Sequence, residues 1–271
     1  MRHRSALRRA GLLLVACSSF VPVLLAQPAP QPRAWVGREK EIEEYIKVAE
    51  IESIKDIGVG VTKPQRAMLK PGGPIEAIAW KHIPPKRYQG YWESYKSEIA
   101  AYELDKLLGL GMIPPTVEKR YKGDLGAAIM WCSDVKSFKD TGGPPKNIPP
   151  QQVLRWNKQI IRTKMFDNLI YNMDPNLGNW LVDPGWNLIL IDHTRSFTTE
   201  KKMTHEDMKR IDPELWAKIE ALTEESLHGA LGEWIGKREI KAMLERRDKM
   251  REIIVNLVKT TEGGEAAVFV K

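Results

Sequence analysis

The chain has 271 residues, 42% of them hydrophobic and 28% charged, with a formal net charge of +7. That length accommodates one two-lobed domain or two small ones, and the lack of internal repeats or long low-complexity tracts sets repeat and fibrous architectures aside. Two cysteines, Cys17 and Cys132, rule out a disulfide-built scaffold.

Residues Met1 to Arg9 form a basic segment, and Gly11 to Ala26 form an apolar run broken by Ser18, Ser19 and Pro22. This run is short for a membrane span and reads as a secretory signal peptide over 1–26, with cleavage after Ala26. The expected destination is the periplasm, the extracellular space or a secretory lumen. Two alternatives stay open: an anchor retained over 11–26, because Leu24 is a poor residue three before the cleavage point, and lipidation at Cys17 within Leu14-Val-Ala-Cys17. Membrane contact is expected only in those two cases. Cleavage takes away four Arg and no acid, lowering the net charge to +3, so the basic balance is partly a targeting feature and no nucleic-acid partner is expected. Only Cys132 then remains, and the fold must rest on its core. Residues 27–36, with Gln27-Pro-Ala-Pro-Gln-Pro32, read as an extended linker.

A first lobe is expected over 37–132. Helical spacing of Ile42, Tyr45, Ile46 and Ala49 predicts a helix from Glu39 to Ile54. The β-branched run Ile57-Gly58-Val-Gly60-Val-Thr62 and Arg66-Ala-Met-Leu-Lys70 read as strands; Pro71-Gly-Gly-Pro74 is a turn, and Ile75 to Lys81 a further strand. Trp92 to Leu110 is the clearest helix of this half, with Ala100, Leu104, Leu107 and Leu108 on one stripe and Gly109 and Gly111 as its stop. Its carboxylates Glu93, Glu98 and Glu103 are not distinguished by periodicity. Pro114–Tyr121 and Gly126–Cys132 read as two strands joined at Lys122-Gly-Asp124.

Polar, Pro/Gly-rich residues 133–149 read as an interlobe linker, and 150–260 as a second lobe. Pro150 to Ile170 is a long amphipathic helix. After it come Asp174, Asn179 five residues later and Asp192 thirteen after that, with Asn179–Asp183 and Asn187–Ile191 reading as a hairpin about Pro184-Gly185. Asn179 and Asp192 would reach neighbouring strand ends with Asp174 just upstream, a convergence suited to Mg²⁺ that retains substrate phosphates. Helices follow from Asp212-Pro213, from Thr223 and over Lys237–Lys259, whose basic side reads as a solvated face; 261–271 read as a frayed tail.

Asp174-x₄-Asn179 followed by an apolar hairpin and Asp192 resembles the catalytic and metal-binding loops of the protein-kinase-like superfamily. Asn172-x-Asp174-x₄-Asn179 and Leu190-Ile-Asp-His193 are closest to its atypical branch: phosphatidylinositol 3/4-kinases, bacterial persistence-toxin kinases and secretory-pathway kinases of the Golgi casein kinase type. The resemblance covers about residues 55–200. It implies an α+β, two-lobed fold, with a β-rich N-lobe carrying one long helix and a mostly helical C-lobe carrying a β-hairpin. It selects Glu98, because Glu98-Ile-Ala-Ala-Tyr-Glu-Leu-Asp-Lys-Leu-Leu108 is similar to the corresponding helix of secretory-pathway kinases. By the same resemblance Lys81 and Glu98 hold ATP phosphates, Gly58 and Gly60 let the backbone approach them, and Met130-Trp131-Cys132 is a hinge against adenine. Asn179 and Asp192 would ligate Mg²⁺ or Mn²⁺, and Asp174 would take the proton of an attacking hydroxyl.

Three features depart from that pattern. His193-Thr194-Arg195 replaces Phe-Gly after Asp192, no Ala-Pro-Glu motif follows, and Pro175-Asn176 stands where atypical relatives carry Arg-His or a similar pair. The expectation is an exported atypical kinase-like phosphotransferase acting on a hydroxyl-bearing acceptor, protein or other. The alternatives are a catalytically silent nucleotide-binding or scaffold protein and another metal-dependent phosphoryl or nucleotidyl transfer enzyme.

Overall fold

The computed structural model describes residues 32–58 and 65–270. The signal-peptide reading, Cys17 and Gly60 lie outside them. Helix α1 (Glu39–Val48) opens the first lobe with Ile42 and Ile46 buried. It is shorter than the predicted Glu39–Ile54, since Ile51–Asp56 is strand β1. Lys119 explains the stop: its ammonium donates to the carbonyls of Ile46 at 2.8 Å and Ala49 at 2.7 Å, satisfying helix-end acceptors.

The lobe's antiparallel sheet runs β1-β2-β3-β7-β6, with β2 Gln65–Leu69, β3 Ala77–Lys81, β6 Thr116–Tyr121 and β7 Asp124–Met130. Central strand β3 is covered on both faces, as its apolar run Ala-Ile-Ala-Trp anticipates. Register pairs Lys81 with Ala127. At neighbouring Gly126 a Cβ would sit 2.6 Å from the Lys81 carbonyl oxygen, so the close approach of the two strands at the lysine end of β3 requires glycine.

A hairpin not anticipated from sequence, β4 (Lys86–Tyr88) and β5 (Tyr91–Glu93), precedes the long helix. That helix, α2 (Tyr95–Leu108), is capped by the Ser94 side chain, which accepts the Lys96 N–H, and ends on Gly109 at φ 62°. Trp92 therefore belongs to the hairpin, and Leu107 faces solvent rather than joining the stripe. Ten of the fourteen α2 residues are buried, because the helix lies between two cores. Tyr95 and Ile99 pack with Ala127 and Ile129 of the sheet, while Leu104 and Leu108 join the larger core of the second lobe.

The second lobe centres on α3 (Val153–Ile170), entered by a 3₁₀ turn at Pro150–Gln152, and on α6 (Lys237–Thr260). Helices α4 (Pro213–Glu220) and α5 (Glu224–Leu231) begin at Asp212 and Thr223 as their sequence signals predict, each cap side chain accepting a backbone N–H. Strands β9 (Trp180–Val182) and β10 (Leu188–Leu190) form the expected hairpin, joined by β8 (Lys136–Ser137) into a sheet β10-β9-β8.

The two-lobed α+β expectation therefore holds, while three segments differ from their sequence reading. Arg33 and Trp35, read as linker, are buried, and Arg33 donates to the Leu188 carbonyl. Phe138 is fully buried within the stretch read as a linker between lobes, stacked on Trp156 at 5.8 Å. The tail folds as α7 (Gly264–Val268), with Val268 buried and a parallel bridge between Ile211 and Phe269. Long-range apolar contacts decide all three, and a composition reading of Pro, Gly and polar content cannot register them. Arg246, on the supposedly solvated side of α6, is likewise buried, donating to the carbonyls of Leu169 and Glu200.

Candidate functional site

Lys81 ends β3 with 5% exposure. Its ammonium lies 2.7 Å from Glu98 Oε1 and 2.8 Å from Asp192 Oδ1. Glu98 stands in the first turn of α2, where the helix N-terminus favours an anion. Its second oxygen accepts the His193 N–H at 3.0 Å. One buried carboxylate thus ties the central strand, the long helix and the turn after β10 together. Burial alone would discharge Lys81, but Asp192 and Glu98 more than offset it and hold its pKa above the ordinary lysine value. Burial pushes Glu98 up, and the Lys81 charge and His193 overcome that, leaving it below the usual carboxylate range. Ammonium and carboxylate therefore both stay ionised at neutral pH.

Asp192 has a left-handed backbone, φ 64°, which Asp tolerates better than most residues. Lys81 and the Thr194 hydroxyl, at 3.0 Å, share its Oδ1. Asn179 is anchored from two sides: its carbonyl accepts the Ile191 N–H at 3.1 Å, and its side-chain amide donates to the Asp174 carbonyl at 3.1 Å. With the amide nitrogen so engaged, Asn179 offers Oδ1, and Asp192 offers Oδ2. Two hard oxygen donors suit Mg²⁺ or Mn²⁺ with phosphate and water completing the shell. Among the described residues no group of three or more His, Cys, Asp or Glu is placed to hold a metal ion by itself.

Asp174 is more open, its side chain 38% exposed. The Asn172 side chain accepts its N–H at 3.1 Å and Asn176 donates to Oδ1 at 2.9 Å, so short polar side chains shape the loop locally. The remaining oxygen faces Arg195 Nη1 at 3.6 Å. Arg195 is held by Glu93, Nη2 to Oε1 at 2.6 Å, and its guanidinium lies over the Tyr91 ring at 4.7 Å. The hairpin β4–β5 thereby supports a cation beside Asp174, at position 195 rather than at Pro175-Asn176. One signal marks it in the sequence: Arg195 is the sole Lys or Arg between Lys164 and Lys201.

The remaining expected residues fall less closely together. Gly58 adopts φ 70° just after β1. In the hinge segment, the Met130 N–H is given to Pro115 and the Trp131 N–H to Ala77, so neither can meet an adenine edge. Arg66 lies over the Trp131 ring at 4.7 Å. Burial pushes the Cys132 thiol up to about 12, which removes it as a nucleophile.

No protein-family model and no curated protein sequence matches the chain. Solved structures do. The Golgi casein kinase with Mn/ADP bound superposes with a TM-score of 0.64 at 14% identity, covering 86% of this chain and 78% of the other. The hydra Fam20 structure with sugar gives a TM-score of 0.65 at 14% identity, covering 85% and 91%. The chain shares the two-lobed fold of these two solved structures. No helix among the described residues is long and apolar enough to cross a membrane.

Proposed function

We propose that the chain is an exported phosphotransferase that moves the γ-phosphoryl group of ATP, bound with Mg²⁺ or Mn²⁺, to a hydroxyl of a protein or other acceptor. The observation that carries this reading is the buried Lys81 ammonium between Glu98 and Asp192, at 2.7 and 2.8 Å. A fixed cation at the cleft, two oxygen donors beside it and an exposed carboxylate beyond them are the parts that phosphoryl transfer needs in that order. The likeness to a structure holding Mn/ADP supports the choice of nucleotide and ion.

In this reading Lys81 orients the nucleotide's phosphates and Glu98 keeps Lys81 aimed. Asn179 and Asp192 would hold the divalent ion, which supplies charge neutralisation on phosphate oxygens when bound. Asp174 accepts the acceptor's hydroxyl proton and lines its oxygen up with phosphorus. Arg195 is close enough to stabilise charge on the transferred group, and its pairing with Glu93 keeps it from collapsing fully onto Asp174. Catalysis is positioning plus electrostatics, with no covalent intermediate on the protein.

The test is transfer of label from γ-labelled and α-labelled ATP by the chain lacking residues 1–26, with Mg²⁺ or Mn²⁺. γ-Label moving to an acceptor, and lost in Asp174→Ala, supports the reading. α-Label transfer would make it a nucleotidyl transferase, and nucleotide-induced thermal stabilisation without any transfer would make it a silent binding module.

A further inference from the structure

A second feature lies away from the cleft. A cavity of about 320 Å³ opens beside α3, and none of Lys81, Glu98, Asp174, Asn179 or Asp192 lines it. Four cationic side chains do: Arg33, Arg155, Lys158 and Arg162. Only Arg162 is neutralised, by Asp212 at 2.9 Å and Glu214 at 2.8 Å. Arg33 is 9% exposed, yet it donates only to neutral acceptors, the Leu188 carbonyl at 2.7 Å and Gln159 Oε1 at 2.6 Å. Arg155 likewise meets the Gly185 carbonyl and the side-chain oxygens of Gln152 and Asn187. Among the described residues no carboxylate lies within ion-pair distance of Arg33, Arg155 or Lys158.

A buried guanidinium without a carboxylate is costly, since interior charges are ordinarily paired. The acids nearest Arg33 act on it at longer range, and Asp105, the stronger of the two, has its carboxyl raised by burial to about 7, so it is only partly ionised at neutral pH. Burial accordingly pulls Arg33 down to about 10. Three under-compensated cations around one cavity match a dianion better than a single charge, and arginine forks suit phosphate oxygens. Besides Gln159, the rest of the wall is apolar, from Leu110, Met112 and Leu154.

We propose that this cavity is a binding site for a phosphate group carried on a small apolar body, with Arg33, Arg155 and Lys158 on the phosphate and Leu110, Met112 and Leu154 on the apolar part. The site adjoins the strand that leads to Asp192: Arg33 and Gln159 both bond Leu188, and the Leu190 N–H donates to the Met112 carbonyl.

Phenyl phosphate is the probe, titrated calorimetrically at low ionic strength without divalent ions. Saturable binding is expected, weakened about tenfold by Arg155→Gln and by Lys158→Gln, the loss of one charge-assisted contact each. Both positions are half-buried on α3, and circular dichroism checks that each variant is folded. Benzoate, with one charge, should bind distinctly more weakly. Absence of saturable binding, wild-type affinity in both variants, or benzoate binding as tightly as phenyl phosphate overturns the proposal. Binding retained in Lys81→Met, once circular dichroism shows that variant folded, separates this site from the nucleotide cleft, and binding lost in the folded variant overturns the proposal.

Discussion

The two halves of the candidate site are built by opposite means. Around Lys81 the protein is dry: the lysine, Glu98 and His193 are nearly without exposure, and each ties a different element to the others. Around Asp174 it is wet, and the loop is shaped by Asn172, Asn176 and Asn179 bonding to the backbone and side chain beside them. In the dry half, function and stability share the same side chains, so a substitution there damages both. In the wet half the Asp174 carboxylate is 38% exposed and ties only to neighbouring side chains and Arg195, so its removal is expected to leave the fold intact. On the proposed function, the buried half would hold the phosphates and the open half would receive the acceptor.

The contrast can be broken by experiment. Asp174→Ala should lower γ-phosphoryl transfer by about a thousandfold or more, consistent with loss of a base together with its positioning, while the melting temperature stays near that of the unaltered chain. A large drop in melting temperature would show that the wet half also carries the fold. Lys81→Met should leave Glu98 and Asp192 facing each other without their cation, costing about 3–5 kcal/mol as breaking buried pairs does. Denaturant unfolding measures it, and a loss below about 1 kcal/mol would mean that the pair is effectively solvated.

Asp192→Ala sharpens the assignment of the metal, because it should abolish Mg²⁺-dependent stabilisation by ATP, read as a thermal shift with and without the ion. Arg195→Met should reduce turnover more modestly, by about tenfold, with nucleotide binding unchanged; a change confined to nucleotide affinity would place Arg195 with the phosphate-holding half instead.

The smallest effect concerns Asp105, buried in α2, whose Oδ1 accepts the Met112 N–H. Burial raises its carboxyl to about 7 in the folded protein, against roughly 3.9 in an unfolded chain. Between those values the folded state holds the extra proton, so this group makes stability fall as pH rises towards 7, and above 7 its full cost is present. Asp105→Asn should flatten that part of the stability profile, by at most about 1.4 kcal/mol per pH unit, measured by urea unfolding from pH 4.5 to 7.5.

Much of this was legible along the chain because it is local. Asp212 and Thr223 cap the helices that follow them, and Gly109 ends α2, since caps depend on residues a few positions apart; the Ser94 cap, by contrast, lies two residues inside the predicted Trp92 start. The β9–β10 hairpin followed from its two apolar runs and the Pro184-Gly185 turn between them. Glu98 did not follow from periodicity, which left Glu93 and Glu103 equal to it; only the resemblance chose it. The structure gives Glu93 a different task, holding Arg195 across 102 positions.

What the sequence determined by itself was the order of elements and the short-range spacing that brings Asp174, Asn179 and Asp192 onto one loop and hairpin. What the tertiary structure decided was which distant charges meet: Lys81 with Glu98 and Asp192, Arg195 with Glu93, and Arg33 with the edge of β10. Local signals arise from backbone geometry within a few residues. Whether a charge is buried and paired depends on packing between segments far apart, and no window along the chain contains that information.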